Sequence, residues 1–171
     1  MKSIVIYSSL TGNTKQVAEA ITSVLPAGTP CVSMKEVPPD VSSYDLVFAG
    51  FWVDKGTANK EARDVLGTLH NPYIALFATA GVPPQMAHAK ESLINAANCL
   101  PDGVEPVGTF ICQGKVDPKV IEMMYKMFPK GHSHGQSADR DARHKQAAVH
   151  PNEDDFKAAQ DFAQHILAKL D

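Results

Sequence analysis

The sequence predicts an α/β fold in which a parallel sheet lies between two layers of helices. Five short apolar runs lack the alternation of apolar and polar residues that a half-exposed strand shows. Segments with apolar residues at helical spacing separate these runs. Strands that are apolar on both faces and joined through helices are typical of a doubly wound parallel sheet. The chain has 171 residues, so residues 1–171 are most simply one domain.

The first half of the chain contains three predicted strands and two predicted helices, in the order 3–8, 11–26, 29–33, 46–50 and 57–69. The first helix is predicted from the spacing of its apolar residues, which are Val17, Ala18, Ile21, Val24 and Leu25. Pro26 and Gly28 end this helix. The second strand lies at the sheet edge, because Pro30 has no N–H group to donate to a neighbouring strand. The second helix is predicted to bury Ala62, Val65, Leu66 and Leu69.

The second half contains two further strands and three further helices, in the order 73–79, 85–97, 107–112, 118–128 and 150–171. The helix near residue 118 has Asp117 as a natural N-cap and Pro118 in its first turn. The last helix begins with three acidic residues, whose charges suit the positive end of the helix dipole. Residues 132–148 are polar and are predicted to be irregular.

Composition and charge argue against several classes of protein. The net charge of −3 does not suggest a nucleic-acid partner, which usually needs a basic stripe. The first strand begins almost at once, so we expect neither a signal peptide nor a membrane span. The cysteines Cys31, Cys99 and Cys112 are odd in number and widely spaced, which indicates a reducing cytoplasm without a disulfide framework. Four histidines lie between residues 132 and 150, but their spacing does not indicate a metal site.

The turn after the first strand predicts a phosphate site, and it consists of Ser9, Leu10, Thr11, Gly12, Asn13 and Thr14. Helix-start N–H groups have no intrahelical partner, and the helix dipole adds partial positive charge there. The hydroxyl groups of this turn add donors, and its glycine allows close approach. No lysine precedes Thr14, so the turn is unlike a nucleoside-triphosphate loop. We therefore expect a ligand with a single phosphate, and an ordinary hydroxyl-rich turn is the alternative.

Residues 9–14 resemble the mononucleotide loop of the flavodoxin family, Ser/Thr-x-Thr-Gly-x-Thr, at every fixed position. The resemblance implies FMN as the cofactor, with its phosphate in this turn. It also implies a flavodoxin-like five-stranded parallel sheet in the order 2-1-3-4-5, with the flavin beyond the carboxyl ends of the strands. The chain departs from the family after the fifth strand, where an extension at about 113–150 precedes the last helix.

The loop after the third strand is the next part of the implied flavin site, and it contains Phe51, Trp52, Val53, Asp54, Lys55 and Gly56. An aromatic residue of this loop stacks on the flavin in the family, which implies Trp52 first and Phe51 second, unless they are core residues. Family members also place a glycine near the flavin N5, which implies Gly56 or the Val53–Asp54 segment. Lys55 departs from the acidic surroundings common in flavodoxins, so we expect it to favour the anionic, fully reduced flavin.

The loop after the fourth strand begins with Thr79, Ala80 and Gly81, whose backbone groups are candidates for binding the pyrimidine edge of the flavin. Many flavodoxins place a second aromatic residue in this loop, whereas this chain has none there. The second flavin face is therefore open or covered from elsewhere. The extension begins on the flavin side of the predicted sheet, so it is a candidate for that cover.

Three functions remain open from the sequence. The first is an FMN-binding electron-transfer protein that serves redox partner proteins and has no catalytic acid or base of its own. The second is an FMN-dependent reductase in which the extension forms a pocket for a small-molecule acceptor, such as a quinone or a tetrapyrrole. The third is a non-redox module whose phosphate loop is vestigial.

Overall fold

The computed structural model describes residues 1–171 and contains a central parallel sheet. The strands are β1 Ser3–Tyr7, β2 Cys31–Ser33, β3 Leu46–Asp54, β4 Thr57–Ala58, β5 Tyr73–Ala80 and β6 Gly108–Gln113. The helices are α1 Asn13–Thr22, α2 Lys60–Leu66, α3 Ala87–Ala97, α4 Pro118–Met127, α5 Ala138–Ala147 and α6 Glu153–Leu170. The parallel strands run in the order β2-β1-β3-β5-β6. This order confirms the predicted topology, and β4 is an additional short strand.

Each face of the sheet carries its own hydrophobic core. One core packs α2 and α3 against residues such as Ile4, Ile6 and Val47, and the other packs α1 and α6 against residues such as Val5 and Phe48. Neighbouring strand residues therefore contribute to opposite cores, as the strand geometry requires. Burial of both faces explains why the strands have no polar residue at alternate positions.

The predicted end of the third strand was wrong, because β3 continues to Asp54 and turns back into β4. Trp52 pairs with Thr79 of β5, so the sheet extends beyond the predicted loop boundary. Lys55 and Gly56 form the two-residue turn and have φ angles of 50° and 78°. Two positive φ angles suit the twist of a tight hairpin. The second helix is correspondingly shorter than predicted and begins at Lys60.

The prediction that residues 132–148 are irregular was also wrong, because α5 lies within them. The Ser137 hydroxyl caps this helix by accepting the Arg140 N–H at 3.2 Å. The Tyr125 hydroxyl of α4 donates to Asp141 at 2.9 Å and lies 3.1 Å from Nδ1 of His144. The helix has few apolar residues, so apolar spacing did not reveal it, and its polar contacts with α4 stabilise it instead.

The predicted N-cap of α4 and the predicted acidic first turn of α6 agree with the structure. Asp117 caps α4 by accepting the Lys119 N–H at 2.8 Å. Asn152 and Asp155 form a capping box at the start of α6. No helix combines the length and the apolar character that crossing a bilayer requires.

Candidate functional site

A cleft of about 390 Å³ lies beyond the carboxyl ends of β1, β3, β5 and β6. Four segments line it: the turn after β1, the end of β3, the end of β5 and the start of the extension. The lining residues are Ser9, Leu10, Thr11, Asn13, Thr14, Trp52, Val53, Asp54, Thr79, Ala80, Gly81, Gly114, Lys115, Val116, Asp117 and Val120. The cleft thus brings together most of the residues predicted from the sequence.

The turn after β1 presents a series of unpaired amide groups. The first helical hydrogen bond of α1 runs from the Gln16 N–H to the Gly12 carbonyl at 3.0 Å. Gly12 has a φ of 96° and donates its own N–H to the Ser9 hydroxyl at 3.1 Å. Six other N–H groups of the turn and first helical residues have no hydrogen-bond partner in the chain, those of Ser9, Leu10, Thr11, Asn13, Thr14 and Lys15. Such a group of amides at a helix N-terminus suits an anion.

The two predicted threonine donors have different surroundings. Thr14 is almost fully buried, and its Oγ1 lies 2.9 Å from the Oγ1 of Thr79 in β5. This hydrogen bond connects the phosphate turn to the end of β5. Thr11 is exposed and has no such partner. Thr11 is therefore the hydroxyl of the pair that is free for a ligand.

The end of β3 places Trp52, Val53 and Asp54 in the cleft wall. Phe51 is fully buried in the core beneath them, so it does not reach the cleft. Lys55 and Gly56 lie at the turn of the hairpin, outside the lining of the cleft. Trp52 can therefore make the aromatic contact proposed from the sequence, whereas Phe51 cannot.

A buried polar network holds this hairpin against the phosphate turn. The Asn59 N–H donates to the Trp52 carbonyl at 3.1 Å, and its side-chain amide donates to the Ser8 hydroxyl at 2.8 Å. The Ser8 hydroxyl in turn donates to the Glu61 carboxylate. Ser8 and Asn59 are buried, where polar groups without partners would be costly. The network fixes Trp52 relative to residue 9, where the phosphate turn begins.

The wall at the end of β5 has two carbonyls that already accept hydrogen bonds from the chain. The Ala80 carbonyl accepts the Gly114 N–H at 2.8 Å, and the Gly81 carbonyl accepts the Gln113 side-chain amide at 3.2 Å. The Gly81 N–H has no partner in the chain. That amide is the group of this wall most available to an acceptor on a ligand.

The start of the extension forms a wall that the sequence did not assign to particular residues. A Cβ at Gly114 would lie 2.8 Å from Nδ2 of Asn13 and 3.3 Å from Cβ of Thr79, so only glycine fits this approach. The Asn13 side-chain amide donates to the Lys115 carbonyl at 2.8 Å, and the Lys115 N–H donates to the His150 carbonyl at 2.8 Å. The Asp117-Pro118 helix start was the one sequence signal for this segment.

The ionisable groups near the cleft are few. Asp54, Lys115 and Asp117 are the charged residues of its lining, and Asp117 also caps α4. Cys112 lies at the end of β6, and burial, followed by the charge of Asp155, raises the pKa of its thiol to about 12. No three His, Cys, Asp or Glu side chains are close enough together to hold a metal ion.

Sequence comparison relates the chain to known proteins along nearly its whole length. The profile of the flavodoxin domain matches residues 4–164. The flavodoxin-like domain-containing protein BilS of Clostridioides difficile is 35% identical over 176 residues, covering 99% of this chain and 98% of that protein. BilS of Clostridium symbiosum is also 35% identical, covering 95% and 94% of the two chains.

Structure comparison supports the same fold at lower identity. The flavodoxin of Streptococcus pneumoniae matches with a TM-score of 0.57 and 14% identity over 98% of each chain. A flavoprotein of Lactobacillus acidophilus, solved in complex with FMN, matches 65% of this chain and 93% of its own, with a TM-score of 0.52 and 18% identity. With its sheet order and its profile match, the chain belongs to the flavodoxin domain family.

Proposed function

We propose that the protein binds FMN and transfers electrons to redox partners. The observation that carries this proposal is the set of six unpaired N–H groups in the turn after β1 and the start of α1, beside the exposed Thr11 hydroxyl. The turn of residues 9–14 contains no lysine or arginine, so its donors suit one phosphate and not a triphosphate. Trp52 lies across the cleft from this turn's residues and offers a surface for a flat aromatic ring.

Each wall of the cleft has a role in holding this cofactor. The phosphate turn binds the phosphate, Trp52 stacks on one face of the ring, and the Gly81 N–H donates to the pyrimidine edge. Val116 and Val120 of the extension lie on the cleft wall and exclude water from it. The bound flavin supplies the electron chemistry, and the protein positions it. A reducing cytoplasm suits the three free cysteines of such a carrier.

The lining of the cleft favours electron transfer over substrate chemistry. None of the lining residues is a histidine, the side chain that most often transfers protons in general acid–base catalysis. The second candidate is an FMN-dependent reductase for a small acceptor such as a quinone. The extension favours it, because Val116 and Val120 make the cleft deeper than strand ends alone would.

A reductive titration of the FMN-loaded protein, followed by visible absorbance, distinguishes these candidates. Two separate one-electron steps support the carrier. A single two-electron step, with NAD(P)H oxidised only when a quinone is present, supports the reductase. A protein that leaves the FMN spectrum unchanged on mixing would contradict both candidates.

Placement of the phosphate is tested by Thr11→Val, which removes one donor and keeps the side-chain shape. A hydrogen bond to a charged group contributes about 1.5–3 kcal/mol, so we expect FMN to bind about 10- to 100-fold more weakly. Riboflavin has no phosphate, and its affinity should change little. Thr109→Val is the matched control, because Thr109 is an exposed threonine of β6 outside the cleft. Equal losses for FMN and riboflavin would contradict the placement.

A further inference from the structure

The charge of the chain is divided unevenly between the extension and the rest of the fold. Residues 114–150 contain seven Lys or Arg and four Asp or Glu, a net charge of +3. The remaining residues contain nine Lys or Arg and fifteen Asp or Glu, a net charge of −6. The small overall charge of −3 therefore conceals a basic extension on an acidic body. The start of this basic part also forms one of the four walls of the cleft.

Most acidic groups of the extension are already occupied. Asp117 accepts the Lys119 N–H, Asp141 accepts the Tyr125 hydroxyl, and Glu122 forms an ion pair with Lys126 at 2.8 Å. By contrast, six cationic side chains of the extension form no ion pair: Lys115, Lys119, Lys130, Arg140, Arg143 and Lys145. The extension thus presents positive charge to solvent beside the cleft.

An apolar stripe runs from the mouth of the cleft along α4. Val120, Met123 and Met127 are 39%, 56% and 67% exposed, and their spacing places them on one face of the helix. Leu10, which lines the cleft from the turn after β1, is 68% exposed. At 100° per residue, the stripe is bordered on one side by Lys119, which forms no ion pair, and by Lys126, which is paired with Glu122. Exposed apolar residues gathered in this way, rather than scattered singly, mark an interaction site.

We propose that this stripe and its basic border form the docking surface for a redox partner protein that presents an apolar patch rimmed by acidic residues. This inference rests on the proposed electron-transfer function and names the class of partner. Val120 and Leu10 both line the cleft, so a protein seated on the stripe lies next to the bound flavin. The cationic border selects the partner's charge, and the methionines adapt to its surface.

An anionic membrane is the other macromolecule that such a surface could meet. The observations favour a protein, because the stripe has no tryptophan or phenylalanine of the kind that anchors interfacial helices. The helix α4 is also only 10 residues long. Electron transfer to a protein explains why the stripe begins at the cleft, whereas membrane attachment would not require that position.

The test measures electron transfer from the reduced, FMN-loaded protein to two haem proteins of opposite net charge, an acidic cytochrome and a basic one. Reduction is followed in a stopped-flow instrument at ~0.01 M and ~0.1 M salt, between which the screening length falls from about 30 Å to about 10 Å. We expect the rate constant with the acidic cytochrome to fall as salt rises. Lys119→Glu should lower that rate constant about three- to tenfold at low salt.

Matched variants separate the docking surface from the rest of the protein. Lys169→Glu is the control for Lys119→Glu, because it makes the same charge change at the end of α6. Ile94→Ser is the control for Met123→Ser, because Ile94 on α3 is 61% exposed. We expect Met123→Ser to slow the acidic cytochrome at least threefold, and both control variants to leave its rate within twofold. A neutral quinone should accept electrons equally fast from all variants.

Several outcomes would overturn the proposal. One is that the basic cytochrome is reduced faster than the acidic one and that Lys119→Glu does not change this order. Another is that Lys119→Glu and Lys169→Glu change the rate constant with the acidic cytochrome equally. A third is that the protein sediments with phosphatidylserine vesicles and that Lys119→Glu abolishes this sedimentation. FMN binding is measured first by absorbance for each variant. Failure to bind or reduce FMN would therefore refute the proposed function, whereas loss of charge selectivity in a fully loaded protein would refute only the docking surface.

Discussion

Two lysines near the cleft differ in where the backbone places them. Lys55 occupies the exposed hairpin turn with a φ of 50°, outside the lining of the cleft. Lys115 lines the cleft, and its backbone is held by Asn13 on one side and His150 on the other. The sequence pattern assigned the tuning of the flavin potential to Lys55. We assign it to Lys115, because an ammonium group acts most strongly on the nearest charge.

Lys115→Glu tests this assignment. A negative group at the cleft disfavours the anionic, fully reduced flavin, so we expect the potential of that reduction to fall by tens of mV, on the order of 1 kcal/mol. Lys55→Glu should change the potential less than half as much. Spectroelectrochemical titration of the FMN-saturated variants measures both values. An equal or larger shift in the Lys55 variant would show that Lys55, in the hairpin turn, tunes the flavin potential instead.

His144 gives the contact between α4 and α5 a pH dependence. Burial lowers the pKa of His144 from its ordinary value of 6.5, and Arg140 lowers it further. The unfolded chain therefore binds the proton more tightly than the folded chain. The contact has its full stability above pH 6.5 and loses stability as the pH falls toward the folded pKa, below which the loss stops.

Hydrogen exchange of the α5 amides measures this effect, with the α6 amides as an internal reference. After correction for intrinsic rates, we expect α5 to lose protection relative to α6 between pH ~7.5 and ~5.5, where histidine titrates. His144→Gln is neutral at both pH values and should remove most of the difference. An undiminished pH response in that variant would assign it to another group.

At the scale of elements, the sequence predicted the parallel strands and the cap of α4 better than it predicted the β3–β4 hairpin and the helix α5. Apolar runs revealed the strands because both faces of the sheet are buried. The hairpin of β3 and β4 was missed because its second strand has only two residues and pairs through backbone groups alone. The helix α5 was missed because tertiary polar contacts, and not an apolar face, stabilise it. Its signal was Ser137 followed by acidic residues.

The junction between β6 and the extension depends on close backbone approach at Gly114. The Asn13 amide nearest this glycine is itself hydrogen-bonded to the Lys115 carbonyl, so it cannot move without losing that bond. Gly114→Ala should therefore lower the free energy of unfolding by about 1–3 kcal/mol, as overpacking does. It should also weaken FMN binding, because Asn13 lies in the phosphate turn.

A matched control isolates the close approach from the general effect of adding a methyl group. Gly67 ends α2 with a φ of −63°, and a Cβ there would have its nearest contact at 3.6 Å. Gly67→Ala should be neutral or slightly stabilising, because alanine restricts the unfolded chain. Urea unfolding gives the stabilities, and fluorescence titration gives the FMN affinities. Equal effects at both glycines would show that the junction tolerates a side chain.

At the scale of the whole molecule, the sheet order explains why most of the site residues predicted from the sequence lie around one cleft. Parallel strands joined through helices bring the turns after β1, β3 and β5 to one rim, whatever their loops contain. The extension wall was less predictable in detail, since its position depends on single contacts of Asn13 and His150 that no periodic pattern encodes. The protein thus combines the sheet order of the family with a cleft wall that the start of the extension provides.

The division between scaffold and extension leads to a prediction about the whole chain. Residues 114–120 of the cleft wall are held by Asn13 and His150, and neither lies within residues 132–148. Replacing 132–148 with a Gly/Ser linker of the same length should therefore change the FMN dissociation constant less than about threefold, or about 0.7 kcal/mol.

The same replacement removes α5 with Arg143 and Lys145 and releases α4 from its Tyr125 contacts. Electron transfer to an acidic protein should then slow at least as much as in Lys119→Glu. Tyr125→Phe keeps α5 but removes the hydroxyl that joins the helices, and it should give an intermediate rate. A replacement variant that no longer binds FMN would show that α5 supports the cofactor cleft itself, and an unchanged rate would show that α5 takes no part in docking.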